Sequence, residues 1–407
     1  MKDPLEDASV DVDRRGATTT LIIVVCGLIA LFIARPSSRD SIAIIAGIVA
    51  MVMLHEAGHY FVAKRSGMKV TEFFLGFGPK LWSFQRGETE YGVKAIPAGG
   101  YVRVVGMTNL EEVDPADEPR TFRRASYGSR LALTLAGVTV NVLIAFVLFF
   151  VVIAGQGRIA EGPNTTVAQI VTKSAAAGGG FHTGDRIVAV DGAPTTNWNS
   201  LTSAIESRAN QRATFTVVRA GQPVTLEATL GSRSGKGFLG VGPGLQYRPV
   251  GVLGAVPESL RSIRDITTGT ASAFAHLVSP SGVAHYTQNF TSSAPSASTT
   301  SGQDRPVSII GIVNQGSSLV HGNIWALLWL LGGISLILAL FNLLPVLPFD
   351  GGHAVVVAYE WIVSKATHRD VRVDFRKLMP VTAIVLVLLV TLSLSAAFLD
   401  VRQAFGG

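Results

Sequence analysis

His55-Glu56-Ala57-Gly58-His59 combines residue types and spacing that can do chemistry. On a helix, positions i and i+4 share a face, so His55 and His59 can grip one metal ion. Two neutral imidazoles suit Zn²⁺, and a catalytic zinc site needs a third protein ligand and an open position. Glu56, between them, is placed to act as base toward a metal-activated water. The setting is unusual, because no charged residue occurs from Ser41 to Leu54. Zinc helices of soluble proteases are amphipathic; this one is built for lipid. Such a motif also arises by chance. Ionisable groups within a bilayer, however, are costly and usually functional. The expectation is therefore a metal site holding one Zn²⁺ per chain.

Composition bounds the elements that must carry this site. The 407 residues are 48% hydrophobic and 15% charged, which suits an integral membrane protein with room for a soluble module. The net charge of +6 does not imply nucleic acid, because the basic residues flank apolar spans as topology signals. Cys26 is the single cysteine, which excludes an intrachain disulfide and Cys₄ or Cys₂His₂ zinc sites.

Taken in order, 1–17 read as a polar tail and 18–34 as an extra transmembrane helix. No clear cleavage site follows this stretch; Arg35 and Arg39 do, which disfavours a signal peptide. The first part of the membrane core is expected over 41–154. Its zinc helix at 41–63 is stopped by Lys64 and Arg65, and a second span covers 129–154. The basic loop between them is cytoplasmic by the positive-inside rule. Within it, Thr71–Phe84 and Thr89–Val105 predict short strands and turns in a membrane-associated β-hairpin. This hairpin can offer its edge to an extended peptide or be a packed layer without a substrate role. Glu111–Glu118 reads as a solvated acidic loop, and Asn141 as interhelical glue or a residue facing the site.

Residues 160–245 predict a small, mostly β domain with a helix over Asn199–Arg208 and a hairpin turn at Ala220-Gly221-Gln222. Residues 246–322 read as a linker, amphipathic over 246–278 and rich in Ser, Thr, Pro and Gly over 279–306. The triplets starting at Asn164 and Asn289 match the glycosylation sequon by chance. The second part of the core, 323–399, opens with a span over 323–346. It runs into a stretch where Pro345 and Pro348 forbid a regular helix. Broken backbone at membrane depth survives where it lines a cavity or is buried in protein, so Asp350 and His353 occupy an internal site. A basic loop and a last span at 378–399 follow, then a tail at 400–407.

Alternation of spans and basic loops sends the zinc helix inward, the second span outward and the third inward again. The β domain then lies outside, and the ends of the zinc helix and third span meet at the cytoplasmic face. Asp350 can reach His55 and His59 and is the expected third ligand. His353 and Glu72 remain alternatives.

The H-E-x-x-H at 55–59 is followed in order by Gly76-Phe77-Gly78-Pro79, Ile96-Pro97-Ala98-Gly99-Gly100-Tyr101-Val102, Asn342-Leu343-Leu344-Pro345 and Asp350-Gly351-Gly352-His353. In these motifs the chain resembles the site-2 protease family of intramembrane zinc metalloproteases. The resemblance is greatest to bacterial members that cut membrane anti-sigma factors. The segment Gly184-Asp185 to Asp191-Gly192 resembles a PDZ domain. The resemblance implies His55, His59 and Asp350 as ligands and Glu56 as base. It implies substrate contacts at Asn342 and Pro345 and at Gly99 and Gly100 of the hairpin. It also implies a multi-pass protein of the bacterial inner membrane, with the PDZ-like domain extracytoplasmic. The expected substrate is a single-pass membrane protein, such as an anti-sigma factor after a first cut on its outer side. Two departures stand out. The proline of the family's Gly-Pro-x-x-Asn is missing from Gly137–Asn141, and the PDZ-like domain has no obvious Gly-Leu-Gly-Phe loop. That domain can be a steric gate or a peptide binder. A metal transporter and an inactive scaffold are the alternatives from other classes.

Overall fold

The computed structural model describes residues 32, 35, 38–159, 165–171, 174–233, 235–243, 247–291, 308–320 and 322–405. The expected polar tail and extra transmembrane helix at 1–34 lie almost wholly outside the described residues. The chain divides into two compact units, one of 1–152, 259–276 and 305–407, the other of 153–258 and 277–304.

In the first unit, α1 (Arg39–Arg65) carries Asp40 in its first turn and Lys64 and Arg65 in its last. Each charge complements the helix dipole at its end. Strands β1 (Val70–Arg86) and β2 (Thr89–Val104) follow. They are longer than the short strands expected, and they fold back on themselves. Val70–Leu75 pairs with Gly100–Val104 on one side, and Glu72–Leu75 pairs with Glu90–Val93 on the other. Gly76 and Gly78 turn the first strand with φ of +87° and +83°, values that a side chain would resist. Around the next turn, Glu88 binds Arg120 at 2.7 Å and Lys64 at 2.7 Å. These two cations hold its carboxyl down at about 2. The acidic loop is not merely solvated: Asp117 pairs with Lys69 and Glu118 with Arg123. Helix α2 (Tyr127–Gln156) then begins.

The second unit is β-rich. It contains β3 (Arg158–Ile159), β4 (Val167–Ile170), α3 (Ala175–Gly178), β5 (Arg186–Val190), β6 (Ala193–Pro194), α4 (Trp198–Glu206), β7 (Arg212–Arg219) and β8 (Gln222–Thr229). A four-stranded sheet runs β6-β5-β7-β8. Phe215, Ile187, Leu201 and Leu230 pack its core. Helix α4 starts where Asn197 and Ser200 form a capping box. The β7–β8 turn is the two residues Ala220 and Gly221, with φ of +50° and +84°, values that match the twist of a tight hairpin. Short strands β9 (Gly231–Arg233), β10 (Lys236–Phe238), β11 (Val241–Pro243) and β12 (Tyr247–Arg248) follow, with β11 pairing to β4.

The expected linker at 246–322 is corrected in part. It holds α5 (Gly251–Leu277), α6 (Pro280–Thr291) and α7 (Ile309–Val320). The Ser279-Pro280 pair that suggested a flexible segment instead opens a helix. Ser279 Oγ accepts from Gly282 N at 3.1 Å, and proline suits the first helical position. Residues 292–307, the rest of the Ser/Thr-rich stretch, lie outside the described residues.

Back in the first unit, α8 (Ile324–Asn342) is capped by Asn323, whose side chain accepts from Trp325 N at 2.9 Å. It ends three residues before Pro345, and turns lead to α9 (Asp350–Thr367). Helix α10 (Met379–Phe405) closes the described chain. Among the described residues, four helices are long and apolar enough to cross a membrane: Arg39–Arg65, Tyr127–Gln156, Ile324–Asn342 and Met379–Asp400. Ile384, Val387 and Leu388 on α10 stay exposed, as lipid-facing residues would. Ala63, Val70, Leu133 and Val357, with Met68 and Phe122 beside them, knit α1, the sheet, α2 and α9 into one core.

Candidate metal and catalytic centre

His55 and His59 stand on one face of α1, and α9 delivers Asp350 to the same point. His55 Nε2 and His59 Nε2 lie 3.3 Å apart. Asp350 Oδ2 is 3.3 Å from the first and 3.2 Å from the second. Tetrahedral zinc with bonds of about 2.0–2.1 Å has ligand–ligand edges of about 3.3–3.4 Å. These three donors match one face of such a tetrahedron. They also fit a cation electrostatically. His59 Nδ1 lies 2.8 Å from the Leu133 carbonyl oxygen, to which it donates, so in the neutral ring Nε2 carries a lone pair. That lone pair faces the Asp350 carboxylate, whose buried Oδ2 makes no hydrogen bond among the described residues. Lone pairs aimed at one another repel unless a cation sits between them. His55, His59 and Asp350 thus form a possible metal-binding group.

The chain around Asp350 explains how it gets there. A Cβ on Gly351 would lie 2.2 Å from the Leu343 carbonyl oxygen, and one on Gly352 2.5 Å from Leu347 N. Only glycines let the turn after α8 wrap the start of α9 so closely. The residue before α9 is Phe349, so Asp350 is not its N-cap. Farther along α9, Glu360 Oε2 accepts from Arg130 Nη1 at 2.6 Å, with side chains only 2% and 3% exposed. That pair ties α9 to α2.

The two alternative ligands are not among the three converging donors. Glu72 accepts from the Tyr101 hydroxyl and lies 3.4 Å from Arg103. His353 packs its ring 5.9 Å from Phe375. Glu56 is not among the three converging donors. A Cβ on Gly100 would meet Glu56 Cγ at 3.1 Å, so the Gly100 backbone lies against this glutamate. A Cβ on Gly99 would instead meet the Phe77 ring at 3.1 Å. Asn342 bonds the Leu338 carbonyl oxygen of its own helix at 3.0 Å, and Pro345 is exposed in the turn.

Sequence reasoning missed how much of the site α2 builds. Leu133, Gly137 and Asn141 are spaced i, i+4 and i+8, one stripe of that helix. Leu133 receives His59, and Asn141 Nδ2 sits 3.1 Å from His55 Nδ1. A Cβ on Gly137 would come within 2.4 Å of both His55 Cε1 and His59 Nε2. The spacing was the signal that could have found this face.

Comparison with known proteins places this centre in a lineage. Peptidase family M50 matches residues 43–389. The zinc metalloprotease Rip1 of Mycobacterium tuberculosis is 33% identical over 384 aligned residues, covering 84% of this chain and 92% of the relative. Rip1 of Mycolicibacterium smegmatis is 30% identical, covering 83% and 91%. The metalloprotease MmpA of Caulobacter vibrioides is 28% identical, covering 80% and 86%. With its apolar spans and its cluster of metal donors, the chain belongs to peptidase family M50, the site-2 proteases, and is a multi-pass membrane zinc metalloprotease.

Proposed function

We propose that this protease hydrolyses peptide bonds within transmembrane segments of single-pass membrane proteins, with anti-sigma factors already trimmed on their outer side as the substrate class. The observation that carries the reading is the placement of Gly100 against Glu56. Gly100–Val104 pairs on one side with Val70–Leu75 and lies at the edge of its sheet. A strand end beside the catalytic glutamate can take up an extended peptide by main-chain pairing. A helical carbonyl is already hydrogen-bonded, so a substrate helix must unwind before it is cut.

In this reading His55, His59 and Asp350 hold the metal. When bound, zinc supplies Lewis acidity, polarising the scissile carbonyl and lowering the pKa of water. Glu56 takes a proton from the attacking water and returns it to the leaving amine nitrogen. Gly99, Gly100, Asn342 and Pro345 keep the unwound segment in reach. The centre lies toward the cytoplasmic face of the bacterial inner membrane, and the PDZ-like second unit lies outside as a gate against untrimmed substrates. Gly237 supports the gate over a peptide-binding groove. A Cβ there would lie 2.0 Å from the Ile205 carbonyl oxygen, so β10 closes directly onto α4.

The test is a proteomic comparison of membrane fragments from cells carrying the wild-type chain or Glu56→Gln. Stumps cut within a membrane span should appear only with the wild type. Identical fragment sets would refute the reading. For sidedness, a cysteine at Thr195 should react with an impermeant reagent in intact cells and one at Asp117 should not. Deleting about 165–230 should permit cutting of untrimmed substrate; complete loss of cleavage in a folded, zinc-loaded protein would remove the gate.

A further inference from the structure

Asn141 is fully buried in the middle of α2. Its side chain meets His55 Nδ1, the ring nitrogen turned away from the other metal donors, at 3.1 Å. Its Oδ1 is also buried and has no hydrogen-bond partner among the described residues. Its main-chain oxygen accepts from Ser335 Oγ at 2.9 Å, and Ser335 is fully buried on α8. Three membrane helices are thus joined in one hydrogen-bonded chain: α8 through Ser335, α2 through Asn141, α1 through His55.

The direction of the last bond follows from the chemistry of the ring. An imidazole that offers the Nε2 lone pair to a metal carries its proton on Nδ1 and must donate it. An amide N–H aimed at that nitrogen would set donor against donor and leave Oδ1 orphaned. Amide nitrogen and oxygen have the same shape, so their assignment is settled by the bonds each can make. Turning the amide by half a revolution places its oxygen on the Nδ1–H, so that acceptor meets donor, and leaves the amide nitrogen where the oxygen stood. His59 already shows this arrangement, with Nδ1 on the Leu133 carbonyl oxygen at 2.8 Å.

We propose that Asn141 is a positioning residue: its Oδ1 accepts the Nδ1–H of His55 and fixes the tautomer that presents Nε2 to the metal. Gly137, one turn earlier, lets α2 come close enough, and Ser335 holds the Asn141 backbone in place. Hydrogen-bond partners of this kind orient a ligating histidine and raise its basicity; losing one costs 10–100-fold in metal affinity. This rests on His55 being a ligand.

Zinc affinity should be measured by chelator competition on the purified full-length chain in detergent, for wild type, Asn141→Asp and Asn141→Leu. A carboxylate keeps the acceptor and loses the donor; leucine loses both. Asn141→Asp should stay within a few-fold of wild type, and Asn141→Leu should fall about 10–100-fold. The absorption of the cobalt-substituted protein should be kept by the first and altered by the second. Asn141→Asp as weak as Asn141→Leu would make the donor the working group and overturn the proposal. Wild-type affinity in Asn141→Leu would also overturn it. Should Asn141→Leu fail to fold, as read by elution profile and thermal unfolding, Asn141→Asp alone decides between acceptor and donor. A wild-type chain that binds no zinc would refute the underlying ligand reading.

Discussion

Two aspartates, one in each unit, are treated in opposite ways. Asp185, in the β-rich unit, has a side chain only 1% exposed, and its oxygens are engaged. Arg219 donates at 2.7 Å from Nε to Oδ1 and at 2.7 Å from Nη2 to Oδ2, and His182 N donates to Oδ2 at 2.8 Å. Asp350, in the membrane unit, turns a buried oxygen toward two imidazole nitrogens and makes no hydrogen bond with it among the described residues. A charge closed off by protein partners holds a fold together. A charge left open toward other lone pairs waits for a cation. Glu360 is closed in the same way as Asp185, by Arg130 and the Val373 N–H.

The comparison can be broken in several places. Glu56→Gln should lose about 10²–10⁴-fold in turnover while keeping about one zinc per chain, because a base is removed and no ligand is. Activity assay and metal analysis on one preparation read both; loss of zinc would move Glu56 into the ligand set. Glu360→Ala leaves Arg130 buried without its partner and should cost about 3–5 kcal/mol of stability. Thermal unfolding in detergent checks it, and an unchanged midpoint would mean that α9 is held by other contacts. Asp185→Asn should cost about 1–3 kcal/mol in the β-rich unit and leave zinc content untouched. Denaturant titration followed by a fluorophore in that unit sharpens the contrast with Asp350.

The smallest effect concerns acid. Arg219 holds the Asp185 carboxyl below its ordinary value. A depressed folded pKa contributes stability above the unfolded pKa of about 3.9, and that contribution is lost as pH falls through the folded value. The β-rich unit should therefore weaken below about pH 4, and Asp185→Asn should weaken less steeply. Parallel acid titrations of the two proteins would expose a wrong assignment if their slopes agree.

The site was legible in sequence where chemistry imposes local spacing. H-E-x-x-H needs one helical turn, and the prolines at 345 and 348 announced a break that ends α8 at Asn342 and restarts the helix at Asp350. What stayed hidden depends on partners distant in sequence. Asn141 reads in sequence as interhelical glue or as a residue facing the site, but its partner His55, and the role of Gly137, come from across a helix pair. The fold-back of β1 and β2 depends on pairing Phe73 with both Val102 and Tyr91, which strand propensity cannot foresee. In the Ser279-Pro280 segment, turn composition and helix-start composition coincide, and the capping bond decides.

The most direct measurement is zinc content in Asp350→Asn and Asp185→Asn, purified side by side with wild type. Asparagine removes the anionic oxygen but keeps shape, so the open aspartate should lose its metal and the closed one should not. The account predicts about one zinc per chain in wild type and Asp185→Asn, and depleted zinc with lost cleavage in Asp350→Asn. Full zinc and near-normal turnover in Asp350→Asn would contradict it and return the third ligand to His353 or Glu72.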